Sequence, residues 1–193
     1  MRHLSVLKLN LFLNLRFDVL LDKKITFVLG GARSGKSTHA ESIALNAASG
    51  AKPLYYVATA EIFDAEMQKR IDLHKARRGD EWTLIDAPIN LTDALKNHDL
   101  VDSVFLIDCL SVWTTNLLIG NHDIPAMQGA LIAHLTACQA SVILVASETG
   151  LGIVPDNKLS RQFRDANGLL NQHVAAVATE VFFVTAGIPN KIK

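Results

Sequence analysis

The eight residues GGARSGKS, at positions 30–37, have the spacing of a loop that wraps around phosphate groups. Gly30 and Gly35 let backbone N–H groups approach a phosphate, and a helix that begins at the end of the loop directs its positive end at the same place. Lys36 would reach the β and γ phosphates, and the Ser37 hydroxyl would hold Mg²⁺. An apolar run precedes the loop and a helix-length segment follows it, so a nucleoside triphosphate site is favoured over a purely structural turn.

Two carboxylates follow apolar runs that we expect to be strands. Asp108 closes VFLID, the position at which a protein with such a loop commonly presents its second contact to Mg²⁺. Alone this signal is weak, because Asp also caps helices. Glu148, in SETG after SVILVA, is a further candidate at the same edge of the sheet, and its role stays open.

His74 lies in the basic segment RIDLHKARR, residues 70–78. On a helix it would continue the apolar stripe of Phe63, Met67 and Ile71 and so face the protein. Nearby positive charge lowers the pKa of an imidazole and leaves a neutral, nucleophilic nitrogen, and the same charges would bind phosphates. The alternative is a histidine that ends an amphipathic helix whose arginines are solvated or paired. From the residues alone both interpretations stay open, and the second is favoured.

Alternating strands and helices are predicted to position these residues from Lys24 onward. The apolar runs are typical of buried strands, and the segments between them have the length of helices. This alternation predicts a single α/β domain over residues 24–193, with a mainly parallel sheet, helices on both faces and a ligand site beyond the carboxyl ends of the strands. The predicted strands are 25–29, 53–58, 82–86, 103–108, 141–146 and 180–186, and the predicted helices are 37–46, 64–78, 90–97, 109–119, 125–137 and 156–179.

Residues 1–23 form a leucine-rich N-terminal extension of uncertain status. Apolar and polar residues alternate almost strictly from Leu7 to Val19, so the segment lacks the uninterrupted apolar run of a signal peptide or a transmembrane helix. The period of two fits an additional strand with one buried face. It fits equally a start codon assigned upstream of the real one.

Charge and cysteine content exclude several classes of protein. Among 193 residues, 19 are basic and 19 acidic, so no global field attracts nucleic acid or an anionic membrane. The two cysteines, Cys109 and Cys138, cannot build a disulfide framework, which fits a reducing cytoplasm. Cys109 follows an apolar run and is expected to be a small core residue, not a nucleophile.

Several longer segments together resemble one family of enzymes. These segments are GGARSGKS, YYVATAE, DAEMQKRIDLHKARR, WTLID, LIDCLSVWTTNLL, GLGIVPDNKLSRQFRDANGLLNQ and GIPNKIK. Their order resembles that in the bifunctional adenosylcobinamide kinases and adenosylcobinamide-phosphate guanylyltransferases of cobalamin biosynthesis, over residues 25–193. The resemblance implies a P-loop NTPase-type (RecA-like) fold, ATP and GTP as substrates with Mg²⁺, a corrinoid acceptor and a homotrimer.

The resemblance also implies two reactions in one fold. First, the aminopropanol hydroxyl of adenosylcobinamide is phosphorylated; then GMP from GTP passes through a covalent histidine intermediate to that phosphate, giving adenosylcobinamide-GDP. The histidine matches His74, Lys36 has the second implied catalytic role, and Ser37 and Asp108 are implied to hold the metal. The residues matched to nucleotide contacts are Gly30, Gly31, Ala32, Arg33, Ser34, Gly35, Lys36, Ser37, Ala58, Thr59, Ala60, Lys75, Ala76, Arg77, Arg78, Asp86 and Asp108.

The chain departs from the resembled family at a few positions. Asp86 stands where the family usually has glutamate, Ser147 where asparagine is commoner, and Asn167 where the residue is usually small and apolar. None of these changes removes a catalytic group, so they bear on substrate details only. Arg161 and Arg164, three apart on a predicted helix, could face phosphate or solvate that helix.

Two other classes of protein are compatible with the phosphate loop. A P-loop small-molecule kinase would need no nucleophilic histidine. A nucleotide-dependent switch or binding module would bind GTP without any transfer to a corrinoid.

Overall fold

Seven strands and five helices make up the parts of the chain that the computed structural model describes, which are residues 23–48, 52–61 and 79–193. The strands are β1 (Ile25–Gly30), β2 (Leu54–Ala58), β3 (Trp82–Asp86), β4 (Val104–Asp108), β5 (Ser141–Ser147), β6 (Glu180–Thr185) and β7 (Ile188–Lys191). The helices are α1 (Lys36–Ala47), α2 (Leu91–Lys96), α3 (Leu110–Ile119), α4 (Ile124–Ala137) and α5 (Lys158–Val177).

All seven strands belong to one sheet in the order β3-β2-β4-β5-β1-β6-β7. Every neighbouring pair is parallel except β6 with β7. Parallel neighbours need crossover connections, and in the described ranges helices lie between β1 and β2, β3 and β4, β4 and β5, and β5 and β6. The predicted α/β fold with a mainly parallel sheet is therefore confirmed.

The register of the sheet brings several predicted site residues to one edge. Gly30 at the end of β1 is opposite Ser147 at the end of β5. Ala58 at the end of β2 is opposite both Asp108 of β4 and Asp86 of β3. The carboxyl ends of these five strands therefore form a continuous edge, which is where open parallel sheets bind their ligands.

Buried side chains on the two faces of the sheet explain why helices cover both. Phe27 on β1 packs with residues of α2, α3, α4 and α5, such as Trp113, in a large core on one face. Val28, pointing the other way, packs against α1 through Ala40 and Ala44, both fully buried. Two alanines on the buried side of α1 let this helix approach the sheet closely. The alternation of side chains along β1 thus distributes the core between the faces.

The predicted elements agree with the observed ones within about two residues at each end, the uncertainty normal for element boundaries, except for β7. That strand was not predicted, because IPNK carries a proline and polar residues and is exposed at every position. Pro189 is accommodated because β7 pairs with β6 only. The predicted helix 64–78 and residues 1–22 lie outside the described residues.

Candidate functional site

The phosphate loop connects the end of β1 to the start of α1. Gly30 has no room for a side chain, since an added Cβ would clash with Ser34 Oγ and would lie 2.6 Å from the carbonyl oxygen of Val184. Gly35 has a φ of 93°, a left-handed conformation that favours glycine. Within the loop, the Ser34 amide donates to the Gly31 carbonyl over 3.3 Å. Both glycines that the motif requires are therefore at positions where a residue with a side chain would be strained.

The start of α1 presents positive charge at this loop. Lys36 Nζ donates to the Gly31 carbonyl over 3.1 Å, so the ammonium group lies back over the loop. The helix has no acidic residue in its first turn and no side-chain cap hydrogen bond. No carboxylate of that turn therefore neutralises the positive end of the helix dipole. Ser37 is half-buried in the first turn, whereas Ala32 and Arg33 are exposed. This arrangement can bind an anionic group such as a polyphosphate.

The turn between β6 and β7 supports the phosphate loop from behind. The Gly187 amide donates to the Ser34 carbonyl over 2.8 Å. A Cβ added at Gly35 would lie 3.2 Å from Gly187 Cα. Sequence reasoning missed this contact, because the only signal for it is the Ala-Gly pair before the closing segment.

Asp108 lies at the end of β4, half-buried. Its Oδ2 accepts a hydrogen bond from the Tyr56 hydroxyl over 3.2 Å, so a residue of β2 orients the carboxylate. Burial and the Asp108 charge raise the pKa of the Cys109 thiol to about 11, while the positive charge of Lys36 acts in the opposite direction. The thiol is therefore protonated at neutral pH; Cys109 is half-buried and packs against the edge of the core, so it is not the fully buried residue that we expected. Lys36 acts electrostatically on the end of β4.

The segment that follows β2 is held by a fully buried threonine. Thr59 Oγ1 donates to the Cys109 carbonyl over 2.8 Å and accepts from the Cys109 amide over 2.9 Å. The Asn116 side-chain amide donates to the Thr59 carbonyl over 2.7 Å. The Thr59 side chain thus connects the end of β2 to the end of β4 and is not accessible to a ligand. The other two members of the predicted contact loop, Ala58 and Ala60, are half-buried and remain accessible.

Asp86 and Glu148 lie on either side of the central part of this edge. Asp86 is exposed at the end of β3, the edge strand. Glu148 directly follows Ser147, the residue of β5 that is opposite Gly30. The Glu148 amide donates to the Gly30 carbonyl over 3.2 Å. Both carboxylates thus lie at the edge that carries Gly30 and Asp108.

A buried polar cluster fixes the end of β5. The Ser147 amide donates to Ser111 Oγ over 2.8 Å, and the Ser147 carbonyl accepts from the side-chain amides of Asn167 and Asn171 over 2.9 and 3.4 Å. Asn167 is fully buried. Two positions at which the chain departs from the resembled family, 147 and 167, are therefore in direct contact.

The two arginines of α5 contact protein groups. Arg161 Nη1 donates to the carbonyls of Pro155 and Asp156 over 3.0 and 2.6 Å, and Arg164 Nε lies 3.6 Å from a carboxylate oxygen of Asp165. Arg161 therefore holds the loop before its own helix, an outcome that neither sequence interpretation contained.

The basic segment with the predicted nucleophile lies outside the described residues. His74, Lys75, Ala76, Arg77 and Arg78 fall in the undescribed range 62–78. Their placement relative to the phosphate loop stays a prediction.

A cavity of about 460 Å³ opens at the opposite end of the sheet. It lies at the amino ends of β1, β5 and β6, and Lys24, Asn46, Lys52 and Glu180 are among the residues that line it. None of the predicted site residues within the described ranges lines this cavity.

Comparison with known proteins decides the family. The model of the family described as cobinamide kinase / cobinamide phosphate guanyltransferase matches residues 26–192. The chain belongs to this family. A bifunctional adenosylcobalamin biosynthesis protein, CobU, of Salmonella typhimurium is 42% identical over 182 residues, covering 86% of this chain and 98% of the relative. The corresponding CobP protein of Pseudomonas aeruginosa is 40% identical over 169 residues, covering 86% of this chain and 95% of the relative.

The fold is shared with proteins of known structure. Flagellar accessory protein FlaH of Methanocaldococcus jannaschii superimposes with a TM-score of 0.51 and 11% sequence identity, covering 88% of this chain and 78% of that chain. At that identity the likeness shows the fold alone, which is the predicted mainly parallel sheet with helices on both faces.

Membership of the cobinamide kinase / guanyltransferase family confirms the predicted enzyme class. The chain is a transferase of cobalamin biosynthesis, with kinase and guanylyltransferase activity as the family's function and GTP and ATP as its substrates. Within the described ranges, no helix is long and apolar enough to cross a membrane.

Proposed function

We propose that this chain phosphorylates the aminopropanol hydroxyl of adenosylcobinamide and then transfers GMP from GTP, through a covalent intermediate on His74, to the new phosphate. The observation that carries the proposal is the family match over residues 26–192, which includes both the phosphate loop and the basic segment around His74. The alternative, a kinase without guanylyltransferase activity, is not favoured by that match.

In the first reaction the chain's main task is to bind and orient a triphosphate. The acceptor oxygen forms a bond to the γ phosphorus, the bond from that phosphorus to the β–γ bridging oxygen breaks, and the hydroxyl proton passes to solvent water. Charge increases on the leaving nucleoside diphosphate. The backbone amides of residues 30–37, the positive end of α1 and Lys36 are placed to stabilise that charge.

In the second reaction His74 is the proposed nucleophile. A neutral imidazole nitrogen attacks the α phosphorus of GTP, and pyrophosphate leaves as the bond to the α phosphorus breaks. An oxygen of adenosylcobinamide phosphate then attacks the same phosphorus and releases the histidine. Lys75, Arg77 and Arg78, in the same segment, are proposed to neutralise the triphosphate and the departing pyrophosphate.

Mg²⁺ is proposed to bind at Ser37 and Asp108. A hydroxyl and a carboxylate are oxygen ligands of the kind that Mg²⁺ prefers, and Mg²⁺ commonly takes only one or two protein ligands beside phosphates and water. When bound, the ion would neutralise charge on the β and γ phosphates.

A homotrimer in the cytoplasm is also proposed. The trimer rests on the resemblance of the sequence to the family. The cytoplasmic location is supported by the two cysteines, Cys109 and Cys138, which are both free thiols.

A coupled assay with a matched lysine control tests the proposed function. Wild type incubated with adenosylcobinamide, Mg²⁺ and GTP is expected to form adenosylcobinamide phosphate and then adenosylcobinamide-GDP, separated and identified by chromatography and mass spectrometry. Lys36→Ala is expected to lower the first rate by about 100-fold or more. Lys52→Ala, at the opposite end of the sheet, is expected to match wild type. Formation of neither product by the folded wild type would contradict the proposal.

A further inference from the structure

The loop between β5 and α5 exposes three large apolar side chains. Leu151, Ile153 and Val154 are 82%, 97% and 59% exposed. Side chains of this size are ordinarily buried, because contact with water is unfavourable for them. Three such residues within four positions form a local apolar surface, which we call the apolar loop patch.

Both ends of the loop that carries this patch are fixed to the protein. At its start, the Glu148 amide donates to the Gly30 carbonyl over 3.2 Å. At its end, Arg161 donates to the carbonyls of Pro155 and Asp156 over 3.0 and 2.6 Å. The loop that carries the patch therefore begins at Glu148, directly beside the phosphate loop, and hydrogen bonds anchor it near both ends.

The position of the patch limits what it can bind. The acceptor of the phosphoryl group must bring a hydroxyl to the triphosphate bound at residues 30–37. The rest of the acceptor then extends over the neighbouring surface at the carboxyl edge of the sheet, where β5 leads into the exposed loop. An acceptor with a large apolar body would find its complementary surface there.

We infer that the apolar loop patch binds the macrocycle of the corrinoid acceptor while the acceptor's hydroxyl reaches the phosphate loop. This inference rests on the proposed function, in which the acceptor is adenosylcobinamide. A corrinoid ring is a broad macrocycle with apolar methyl groups and polar amides at its rim. Small-molecule sites are typically lined by apolar side chains with a few polar groups. The loop offers both, in the three side chains of the patch and in the polar groups near its two ends.

A second copy of the chain is a less suitable occupant of this patch. A stable protein interface buries roughly 800 Å² on each partner. An interface centred on these three side chains would need further area from residues around them. The position of the loop beside the phosphate loop favours the corrinoid, and the second copy becomes an outcome of the test.

Direct binding measurements with a matched control test this inference. Ile153→Ser changes a side chain that is 97% exposed, so the fold should tolerate it. Leu100→Ser is the control, because Leu100 is 60% exposed but precedes β4 at the amino end of the sheet. Equilibrium dialysis, read through the visible absorbance of adenosylcobinamide, gives the Kd. We expect Ile153→Ser to raise this Kd about tenfold or more and to leave the KM for ATP unchanged, with Leu100→Ser like wild type in both.

Several results would overturn the inference. An unchanged corrinoid Kd in both Ile153→Ser and the Leu151→Ser/Ile153→Ser double variant excludes the patch as the corrinoid site. A lower oligomeric state by sedimentation, with unchanged corrinoid Kd, assigns the patch to contact between copies. Failure of the proposed function can be told apart from failure of this inference. A wild type that binds adenosylcobinamide without phosphorylating it refutes the proposed function, but the comparison of Kd values between variants stays valid. A wild type that binds no adenosylcobinamide refutes both.

Discussion

The backbone amide of Gly187 donates to the carbonyl of Ser34 over 2.8 Å, so the turn between the last two strands supports the phosphate loop. Gly187 has a φ of 81°, which a glycine adopts without strain. Its Cα would lie 3.2 Å from a Cβ at Gly35. The shape of a loop near the start of the domain thus depends on a turn near the end of the chain.

Gly187→Ala is expected to lower the free energy of unfolding by about 1 kcal/mol, since left-handed backbone is unfavourable for alanine. No atom lies within 4 Å of the added Cβ, so the effect comes from the backbone alone. Relaxation of the strained turn is expected to displace the residue 187 amide from the Ser34 carbonyl, so affinity for ATP should fall. Urea unfolding and calorimetric titration with ATP measure the two effects.

Gly129→Ala serves as the control for that substitution. Gly129 lies within α4, and the added methyl group meets nothing within 4 Å. Alanine is the better helix former, so stability should rise by about 0.5–1 kcal/mol, with ATP affinity unchanged. Equal changes in the free energy of unfolding and in ATP affinity in Gly187→Ala and Gly129→Ala would contradict the role given to the turn.

Tyr56→Phe is expected to raise the Mg²⁺ concentration that gives half the maximal kinase rate by about fivefold, equivalent to about 1 kcal/mol for one hydrogen bond. The substitution removes the donor to Asp108 Oδ2 and leaves the ring in place. Tyr55→Phe is the matched control, because Tyr55 is on the same strand but stacks on Phe105, with 5.1 Å between ring centroids. Equal Mg²⁺ dependence in the two variants would argue against Asp108 as a metal ligand.

Cys109→Ala is expected to make the protein less sensitive to alkaline pH. The pKa of Cys109 is raised from 9.0 to about 11, chiefly by burial and then by Asp108. Between these values the folded protein keeps a proton that the unfolded chain has lost, so the free energy of unfolding falls as pH rises from about 9 to about 11. Urea unfolding across this range measures the slope. An unchanged slope in Cys109→Ala contradicts the pKa assignment.

Local patterns account for the parts of the fold and site that the sequence predicted. The phosphate loop is one continuous motif, and Gly30, Ala58 and Asp108 each end an apolar run, so a parallel sheet must bring them to one edge. The contacts that were not predicted join residues distant in the chain, such as Gly187 with Ser34 and Asn167 with Ser147. A single sequence can indicate a turn, as the Ala-Gly pair at 186–187 does, but it does not show which distant residue the turn contacts.

The residue most central to the proposed chemistry, His74, lies outside the described residues, so chemistry must test its role. The most direct measurement is incubation with Mg²⁺ and GTP labelled at the α phosphate, followed by a test for acid-labile, base-stable label on the protein. His173, exposed on α5, provides the matched control. We predict label in wild type and in His173→Asn and none in His74→Asn. Label that persists in His74→Asn, or folded wild type that binds GTP without acquiring label, would contradict the guanylylated histidine.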